Sequence, residues 1–448
     1  TRQKLLIYRG NMDDNLLRAW LSHETDEKTH AAIEELKRSN PEELKSAFSG
    51  RLAFGTGGVR ALMGVGPARL NKYTIRQITQ GLSASLLSQS EGPHSVVIGH
   101  DPRHHSTEFA EEVARVLAGG GIRAYLLEEL RPTPFISFLV RHLKASAGIN
   151  LTASHNPGTY NGYKVYGSDG AQITSPLDKE IIAQVDKVDT FSKVKLATSD
   201  SDLIERIGDD YDVDYLKACD SLALLPEDNR NEGGRLKVVY SPLHGAGITL
   251  VPRLLHRWGF SSVELVESQM TPDGDFTNAK KPNPEEPEAL KAGIAQMQRE
   301  KRDLFIATDP DADRLGATIN TPLGPRSLNG NELACILLEH ILSTMKLPEN
   351  GAVIKTIVTT ELFAKIAASH GVQCLDLLTG FKYIGEKIHA WEQKPGSPHF
   401  IFGAEESYGC LFGTAARDKD AVLAAGLVCE VALKAKLEGK TLENLLEE

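Results

Sequence analysis

The chain has 448 residues, of which 41% are hydrophobic and 25% charged, and its formal net charge is −10. This length predicts about three domains. The acidic balance argues against a nucleic-acid or membrane-surface partner, because phosphate backbones and anionic lipids need a basic protein face.

The five cysteines are scattered, and no two of them are spaced as C-x-x-C. Neither a zinc site nor a disulfide framework is therefore predicted. No stretch approaches the roughly 18 apolar residues of a membrane span, and the N-terminus lacks the pattern of a secretory signal. We expect a cytoplasmic protein that is a monomer or a weak dimer.

The first fifty residues are polar and predict solvated helices. After them, short β-rich runs are each followed by a loop of polar residues and glycine, and helical segments lie between these runs. The runs begin at Val96, Ala147, Leu236, Asp303 and Phe400. This alternation predicts an α/β fold with three consecutive domains, each with a mixed, largely parallel sheet flanked by helices.

Two changes in composition mark possible joints between these domains. Residues 225–234 form a polar insert that we expect to be flexible, and residues 320–326 are typical of a turn rich in proline and glycine. We expect the domains to cover residues 1–205, 206–325 and 326–448.

The first motif in chain order is F-G-T-G-G-V-R, residues 54–60. It matches neither a Rossmann nor a P-loop fingerprint, so a structural turn is one interpretation. The other is that Arg60 reaches a phosphate group from this turn.

The second motif, T-A-S-H-N-P, follows an apolar run at residues 145–151 that predicts a buried strand. We expect Ser154 to be exposed at the C-terminal end of that strand, where open α/β sheets place their chemistry. An ordinary turn serine is the alternative, and the nucleophile elbow G-x-S-x-G is lacking. His155 adjoins the serine, and a turn could bring the Lys164 ammonium back towards its hydroxyl. A phosphate-carrying serine would need a divalent cation and an acid/base group.

The sequence D-P-D-A-D-R at residues 309–314 is the strongest single signal. Three alternating carboxylates after a strand can converge on one hard cation such as Mg²⁺. A solvated acidic turn is the alternative. An EF-hand is excluded because its sixth and twelfth positions would be Arg314 and Asn320. A phosphatase with an aspartyl nucleophile would also present aspartates after a strand. A third aspartate followed by an arginine, however, favours a metal-binding loop with a phosphate contact beside it.

Three further motifs are weak when each is taken alone. A-E-E-S-Y-G at residues 404–409 could hold vicinal sugar hydroxyls or form a solvated turn. R-D-K-D at residues 417–420 would be interpreted as a charged surface loop, and L-T-G-F-K at residues 378–382 gives a similarly weak signal.

Taken in order, these motifs resemble those of the α-D-phosphohexomutase superfamily, most closely its bacterial-type phosphoglucomutases. The resemblance covers almost the whole chain. It rests on F-G-T-G-G-V-R (54–60), T-A-S-H-N-P (152–157), N-G-Y-K (161–164), D-P-D-A-D-R (309–314), T-G-F-K (379–382), E-E-S-Y-G (405–409) and R-D-K-D (417–420).

The resemblance implies roles for particular residues of this chain. Ser154 would carry the phosphate, and Asp309, Asp311 and Asp313 would bind Mg²⁺ together with a phosphate oxygen on that serine. The remaining implied site residues act in proton transfer, in catalysis beside the serine, or in substrate binding. They are Lys164 and Lys419 for proton transfer, Arg60 and His155 at the catalytic centre, Glu405 and Ser407 for sugar hydroxyls, and Arg314, Thr379, Gly380 and Lys382 for the remainder of the substrate.

The implied reaction interconverts glucose 1-phosphate and glucose 6-phosphate through a phosphoserine enzyme and glucose 1,6-bisphosphate, which would also act as activator. Phosphomannomutase, phosphopentomutase and glucose 1,6-bisphosphate synthase are alternatives, as is a sugar-phosphate binding protein without turnover. The superfamily normally has a fourth domain with an R-x-S-G-T-type loop for the nonreacting phosphate. No such loop occurs here, so we expect that domain to be absent from this chain, either because the native protein is longer than this chain or because it lacks the domain. In the second case affinity and turnover should fall sharply.

Overall fold

The computed structural model describes residues 12–22, 25–55, 57–89 and 92–448. Thr56 of the first glycine-rich motif lies outside these residues, as does the start of the chain. In the described part, three mixed sheets follow one another along the sequence, each flanked by helices. The prediction of three α/β domains is confirmed.

The first sheet has the strand order β1-β5-β4-β2-β3-β6. Strands β4, β2, β3 and β6 run parallel to one another, and β5 pairs antiparallel with both β4 and β1. Its strands are β1 (Gly58–Leu62), β2 (Ser95–His100), β3 (Arg123–Leu127), β4 (Ala147–Leu151), β5 (Tyr160–Gly167) and β6 (Ile204–Ile207). The helices of this part are α1 (Asp14–Trp20), α2 (Glu27–Ser39), α3 (Pro41–Ala47), α4 (Lys72–Gln89), α5 (Ser106–Gly119), α6 (Thr133–His142) and α7 (Leu177–Val185).

The second sheet has the order β11-β10-β9-β7-β8, in which the β11-β10-β9 meander is antiparallel and the other pairs are parallel. Its strands are β7 (Val238–Ser241), β8 (Val263–Leu265), β9 (Leu304–Thr308), β10 (Leu315–Thr321) and β11 (Gly324–Leu328). Its helices are α8 (Asp212–Asp220), α9 (Pro226–Glu232), α10 (Val251–Trp258), α11 (Glu267–Met270) and α12 (Pro287–Arg299).

The third sheet has the order β13-β12-β14-β15, with only the last pair antiparallel. Its strands are β12 (Gly351–Thr356), β13 (Gln373–Leu377), β14 (His399–Glu405) and β15 (Gly409–Phe412). Its helices are α13 (Gly330–Thr344), α14 (Glu361–Ser369), α15 (Phe381–Glu392), α16 (Ala421–Leu437) and α17 (Leu442–Glu447). None of the helices in the described residues has the length and apolar character that crossing a bilayer requires.

The two predicted joints are regular structure rather than loose chain. Residues 225–234, expected to be flexible, form α9 and a 3₁₀ turn, because Pro226 starts the helix and the buried Glu430 carboxylate accepts hydrogen bonds from the backbone N–H groups of Leu224 and Leu225. Residues 320–326 are the end of β10, a two-residue turn and the start of β11 in one hairpin. The proposed limits at 205 and 325 fall inside β6 and β11, so we propose moving each by a few residues.

Helix α16 is the central helix of the third domain. Its sequence A-V-L-A-A-G-L-V-C-E-V-A-L is apolar on all faces, which is typical of a helix buried on every side. Trp258 of α10, in the second domain, packs so close to Gly426 that an added Cβ would lie 2.7 Å from the indole ring. One hydrophobic cluster therefore continues from the second sheet into the third.

Asp420 begins α16 as its N-cap, and its carboxylate accepts hydrogen bonds from the backbone N–H of Leu423 (2.9 Å) and the hydroxyl of Tyr215 (2.8 Å). Burial raises the pKa of Asp420 to about 6. Because the folded pKa lies above the unfolded value, this group stabilises the fold fully below about pH 4, and that stability is lost as the pH rises through about 6.

We therefore expect an Asp420→Asn protein to gain about 2 kcal/mol in free energy of unfolding, relative to the unmodified protein, as the pH rises from 4 to 7. Urea unfolding at several pH values measures this difference. Asp228→Asn, at an exposed position of α9, is the control and should show no such trend. Parallel pH profiles for the Asp420→Asn and unmodified proteins would contradict the expectation.

Candidate active site

The site lies where the C-terminal ends of strands from all three sheets meet. Ser154 follows β4 of the first sheet, the aspartate loop follows β9 of the second, and Glu405 ends β14 of the third. Carboxyl ends of parallel strands are the usual place for ligands in α/β folds. Residues that are distant in sequence are thereby brought within reach of one another.

Ser154 is buried, with 1% of its surface exposed, so the expectation that it would be exposed is wrong. The aspartate loop of the second domain packs over it, and the Ser154 hydroxyl donates a hydrogen bond to Oδ2 of Asp309 at 3.0 Å. Nδ1 of His155 lies 3.1 Å from the same hydroxyl. The serine backbone has φ of 53°, in the left-handed region that non-glycine residues rarely adopt.

Asp309, Asp311 and Asp313 form a buried cluster, and each offers a carboxylate oxygen within 4.8 Å of the others. A solvated acidic turn is thereby ruled out. Oδ1 of Asp309 accepts hydrogen bonds from the backbone N–H groups of Asp313 and Arg314, both at 3.1 Å. Burial, together with the charges of the other two carboxylates, raises the pKa of Asp309 well above its usual value.

Two lysines offset the charge of this cluster. Nζ of Lys164 lies 2.7 Å from Asp311 and 3.1 Å from Asp313, and Nζ of Lys419 lies 3.3 Å from Asp313. Burial works to lower the pKa of each ammonium, but the neighbouring carboxylates outweigh it and hold both pKa values above normal. Both lysines are therefore protonated at neutral pH.

Lys164 reaches the site differently from the sequence-based expectation. It lies within β5, paired in register with Asn150 of β4, rather than on a turn. Its ammonium contacts the aspartates and not the serine hydroxyl. Burial, followed by the positive charges of Arg314 and Arg60, lowers the pKa of His155 to about 3, so its imidazole is neutral.

The sugar-binding candidates come from two loops of the third domain. Oε1 of Glu405 accepts a hydrogen bond from the backbone N–H of Gly380 at 3.0 Å, which joins the two loops. Burial raises the pKa of Glu405. Thr379 is exposed beside this contact and Ser407 is half-buried in the turn after β14.

The three arginine and lysine candidates around the site differ in their contacts. Nη1 of Arg314 donates to Glu285 at 3.0 Å, and Arg60 is exposed on β1. The ammonium of Lys382 lies 5.2 Å from the ring centroid of its neighbour Tyr383, at the start of α15.

The R-D-K-D loop is buried, so its interpretation as a surface loop is wrong. Asp418 accepts hydrogen bonds from Tyr166 (3.2 Å) and Gln172 (2.9 Å) of the first domain, and also from Nζ of Lys419 (3.0 Å). The Arg417 backbone N–H donates to Ser137 at 2.7 Å. These contacts fix the loop, and Lys419 with it, against the first domain.

Some residues that build the site had no assigned role in the sequence analysis. Oγ1 of Thr133 donates to Oδ2 of Asp311 at 2.9 Å and accepts from Nδ2 of Asn150. Asp101 and Arg103 contact the serine loop from behind. The usable signal was D-P-R, residues 101–103, directly after β2 at the same sheet edge as Ser154.

The cluster has the donor set that a hard divalent cation requires. Oδ1 of Asp311 and Oδ1 of Asp313 are buried without a hydrogen-bond partner in the described structure. Buried carboxylate oxygens without partners are costly. Because carboxylates are the preferred ligands of such cations, the residues present fit a metal ion at this place.

Comparison with known families gives matches along the chain. Residues 51–191, 213–323 and 329–448 match the profiles described as phosphoglucomutase/phosphomannomutase, alpha/beta/alpha domains I, II and III. These matches follow the three sheets in order.

Individual relatives agree with the profiles. The chain is 37% identical over 410 residues to a phosphoglucomutase of Staphylococcus haemolyticus, covering 90% of this chain and 73% of the relative. It is 38% identical over 413 residues to a phosphoglucomutase of Staphylococcus epidermidis, covering 91% of this chain and 74% of the relative. A crystal structure from Thermus thermophilus, of a protein classed as a phosphomannomutase, superposes with a TM-score of 0.74 at 27% identity, covering 89% of this chain and 83% of that one.

Proposed function

We propose, because the chain belongs to the phosphoglucomutase/phosphomannomutase family, that it interconverts glucose 1-phosphate and glucose 6-phosphate. It is an enzyme of the phosphohexomutase type, an isomerase that moves a phosphoryl group within a sugar phosphate. The observation that carries the proposal is the buried contact of 3.0 Å between the Ser154 hydroxyl and Asp309, beside two further carboxylates.

Phospho-Ser154 would be the phosphoryl donor. The bond between Oγ and phosphorus breaks as a new bond forms to the free hydroxyl oxygen of a hexose 1-phosphate, which gives glucose 1,6-bisphosphate. The bisphosphate then turns over in the site and returns its other phosphoryl group to Oγ, which leaves glucose 6-phosphate. Positioning and charge neutralisation dominate such transfers.

Mg²⁺ is the proposed metal, held by Asp309, Asp311, Asp313 and a phosphate oxygen on Ser154. When bound, it would neutralise the negative charge on the transferring phosphoryl group. We propose glucose 1,6-bisphosphate as activator, because it can phosphorylate the serine of any enzyme molecule that has lost its phosphate.

Protons would be handled by residues of this chain. The ammonium groups of Lys164 and Lys419 are charged at neutral pH, so each can give a proton to the oxygen that leaves phosphorus. The amine left behind can then take up the proton that the attacking hydroxyl releases, which restores the ammonium. Arg60 and the neutral His155 flank the phosphoserine as contacts for its oxygens. The His155 imidazole lies close enough to the serine hydroxyl for a hydrogen bond.

The substrate would be held by the remaining loops. Glu405 and Ser407 would contact sugar hydroxyls, and Arg314, Thr379, Gly380 and Lys382 would line the rest of the site. Cytoplasmic location and a monomeric or weakly dimeric state are part of the same proposal.

A substrate panel tests the preference for glucose. We expect kcat/KM to be about tenfold higher on glucose 1-phosphate than on mannose 1-phosphate or ribose 1-phosphate. The basis is the resemblance of E-E-S-Y-G, residues 405–409, to the corresponding motif of bacterial-type phosphoglucomutases. An equal or higher value on mannose or ribose 1-phosphate would favour phosphomannomutase or phosphopentomutase activity instead.

Measuring glucose 1,6-bisphosphate binding and phosphate uptake beside this substrate panel separates an enzyme from a binding protein. A chain that binds glucose 1,6-bisphosphate, yet neither takes up phosphate nor turns over any hexose phosphate, would be a non-catalytic sugar-phosphate binder. Net formation of the bisphosphate, with no isomerisation, would indicate the synthase alternative.

A further inference from the structure

Arg103 lies behind the serine loop and donates hydrogen bonds to four of its backbone carbonyl oxygens. Nη2 contacts the oxygens of Ser154 (2.6 Å) and Asn156 (2.5 Å), and Nη1 contacts those of Pro157 (2.8 Å) and Tyr160 (2.9 Å). The side chain is completely buried. A guanidinium presents several N–H donors in a rigid plane, which an ammonium cannot do. The Arg103 guanidinium therefore fixes the backbone of the loop from Ser154 to Tyr160 through four hydrogen bonds.

The same arginine also reaches the amide side of Ser154. Its Nε donates to Oδ2 of Asp101 at 3.0 Å, and that oxygen accepts a hydrogen bond from the Thr152 hydroxyl at 2.6 Å. Oγ1 of Thr152 in turn accepts from the backbone N–H of Ser154 at 2.8 Å. Both backbone polar groups of the serine are thus connected to Arg103.

These contacts explain how Ser154 can keep a left-handed backbone. A non-glycine residue with φ of 53° is held there only when its surroundings impose that conformation. In this conformation the hydroxyl points to Oδ2 of Asp309, 3.0 Å away. Relaxation of the loop would move the hydroxyl away from the carboxylate cluster.

A loop of the second domain also contacts Arg103. The ring centroid of Phe276 lies 4.9 Å from the guanidinium carbon, and this phenylalanine is fully buried with φ of 47°. A Cβ added to Gly158 would approach the carbonyl oxygen of Gly274 to 2.6 Å. Arg103 therefore contacts both the serine loop and the second-domain loop that contains Phe276.

We infer that Arg103 is a positioning residue for phosphoryl transfer, which sets the direction of the Ser154 hydroxyl and couples it to Phe276. The inference rests on the proposed function, since it assigns Arg103 a part in loading and unloading the serine. Arg103 touches the loop backbone rather than the substrate or its phosphate, so it would affect the rate of phosphoryl transfer more than substrate binding.

Phosphate uptake from glucose 1,6-bisphosphate, followed by intact mass spectrometry in a single turnover, tests this inference. Arg103→Lys keeps the positive charge but loses the planar set of N–H donors that bonds several carbonyl oxygens at once. We expect its maximal uptake rate to fall about 100-fold, while the half-saturating bisphosphate concentration changes less than about threefold. The matched control is Arg69→Lys, a buried arginine of the first domain whose side chain binds Glu43, Ser46 and the Ala68 carbonyl oxygen rather than the serine loop; its uptake rate should be unchanged.

A second variant probes the coupling to the second domain. Phe276→Leu keeps an apolar side chain and removes the ring face from the guanidinium, so we expect about a tenfold slower uptake at unchanged half-saturation. This variant also keeps the inference testable if the Arg103→Lys protein does not fold.

The outcomes are distinct. An Arg103→Lys protein with the same uptake rate as Arg69→Lys would overturn the positioning role, as would a change in half-saturation with no change in rate. Normal uptake by Phe276→Leu would overturn the coupling. If the unmodified chain took up no phosphate at all, the proposed function itself would fail.

Discussion

The Ser154→Ala protein is expected to take up no phosphate from glucose 1,6-bisphosphate and to lose turnover on glucose 1-phosphate by roughly 10⁴-fold or more. The hydroxyl is the only oxygen of this side chain that can carry a phosphoryl group, and it points into the carboxylate cluster. Intact mass after incubation with the bisphosphate measures uptake, and a coupled assay for glucose 6-phosphate measures turnover.

Ser83→Ala is the matched control for this variant. Ser83 is also a fully buried serine of the first domain, but it lies on α4, away from the strand ends that form the site. The Ser83→Ala protein should take up one phosphate per chain, like the unmodified protein. Phosphate on Ser154→Ala would show that another residue is the carrier and would remove the basis of the proposed mechanism.

The Asp311→Asn protein is expected to transfer phosphate about 10³-fold more slowly at a fixed Mg²⁺ concentration and to need more Mg²⁺ for half-maximal rate. Asparagine keeps the shape of the side chain but removes one charge and one of the two oxygens from the cluster. The loss should exceed that of an ordinary buried hydrogen bond, because it weakens the divalent site and also removes a partner of Lys164.

Mg²⁺ titration of the uptake rate measures this effect, and calorimetric titration with Mg²⁺ measures the affinity independently of activity. Asp303→Asn is the control, since this aspartate precedes β9 at the opposite end of the strand and pairs with Lys436. Its Mg²⁺ dependence should match that of the unmodified chain. An Asp311→Asn protein with unchanged Mg²⁺ affinity would contradict the proposed metal site.

The strand-then-loop pattern was sufficient to predict three α/β domains, because β-rich runs and helices alternate with little ambiguity. It was also sufficient to place Ser154 at the end of a strand, since β4 ends at Leu151. What it could not provide was burial. Whether Ser154 is exposed depends on a loop 155 residues further along the chain, and no local pattern contains that contact.

The same limit explains the loop at residues 417–420, which is charged in sequence but buried in the structure. Its charges are compensated by Tyr166, Gln172 and Asp313, all distant in sequence. Arg103 was missed for a related reason. Its partners are backbone carbonyl oxygens, which every residue possesses, so the sequence around them carries no sign of the contact.

Helix α16 of the third domain packs against α10 of the second, so the second domain cannot be cut out of the chain without exposing apolar surface. A fragment that contained only the second sheet would expose Trp258 and the face of α10 to water, because those surfaces are covered by a helix from the third domain. Such a fragment should be insoluble, and one that spans only the second and third sheets would still expose apolar surface, because the same cluster includes Phe135 and Leu139 of α6 in the first domain. The strand topology divides the protein into three domains, but their shared core means that they do not fold as three independent units.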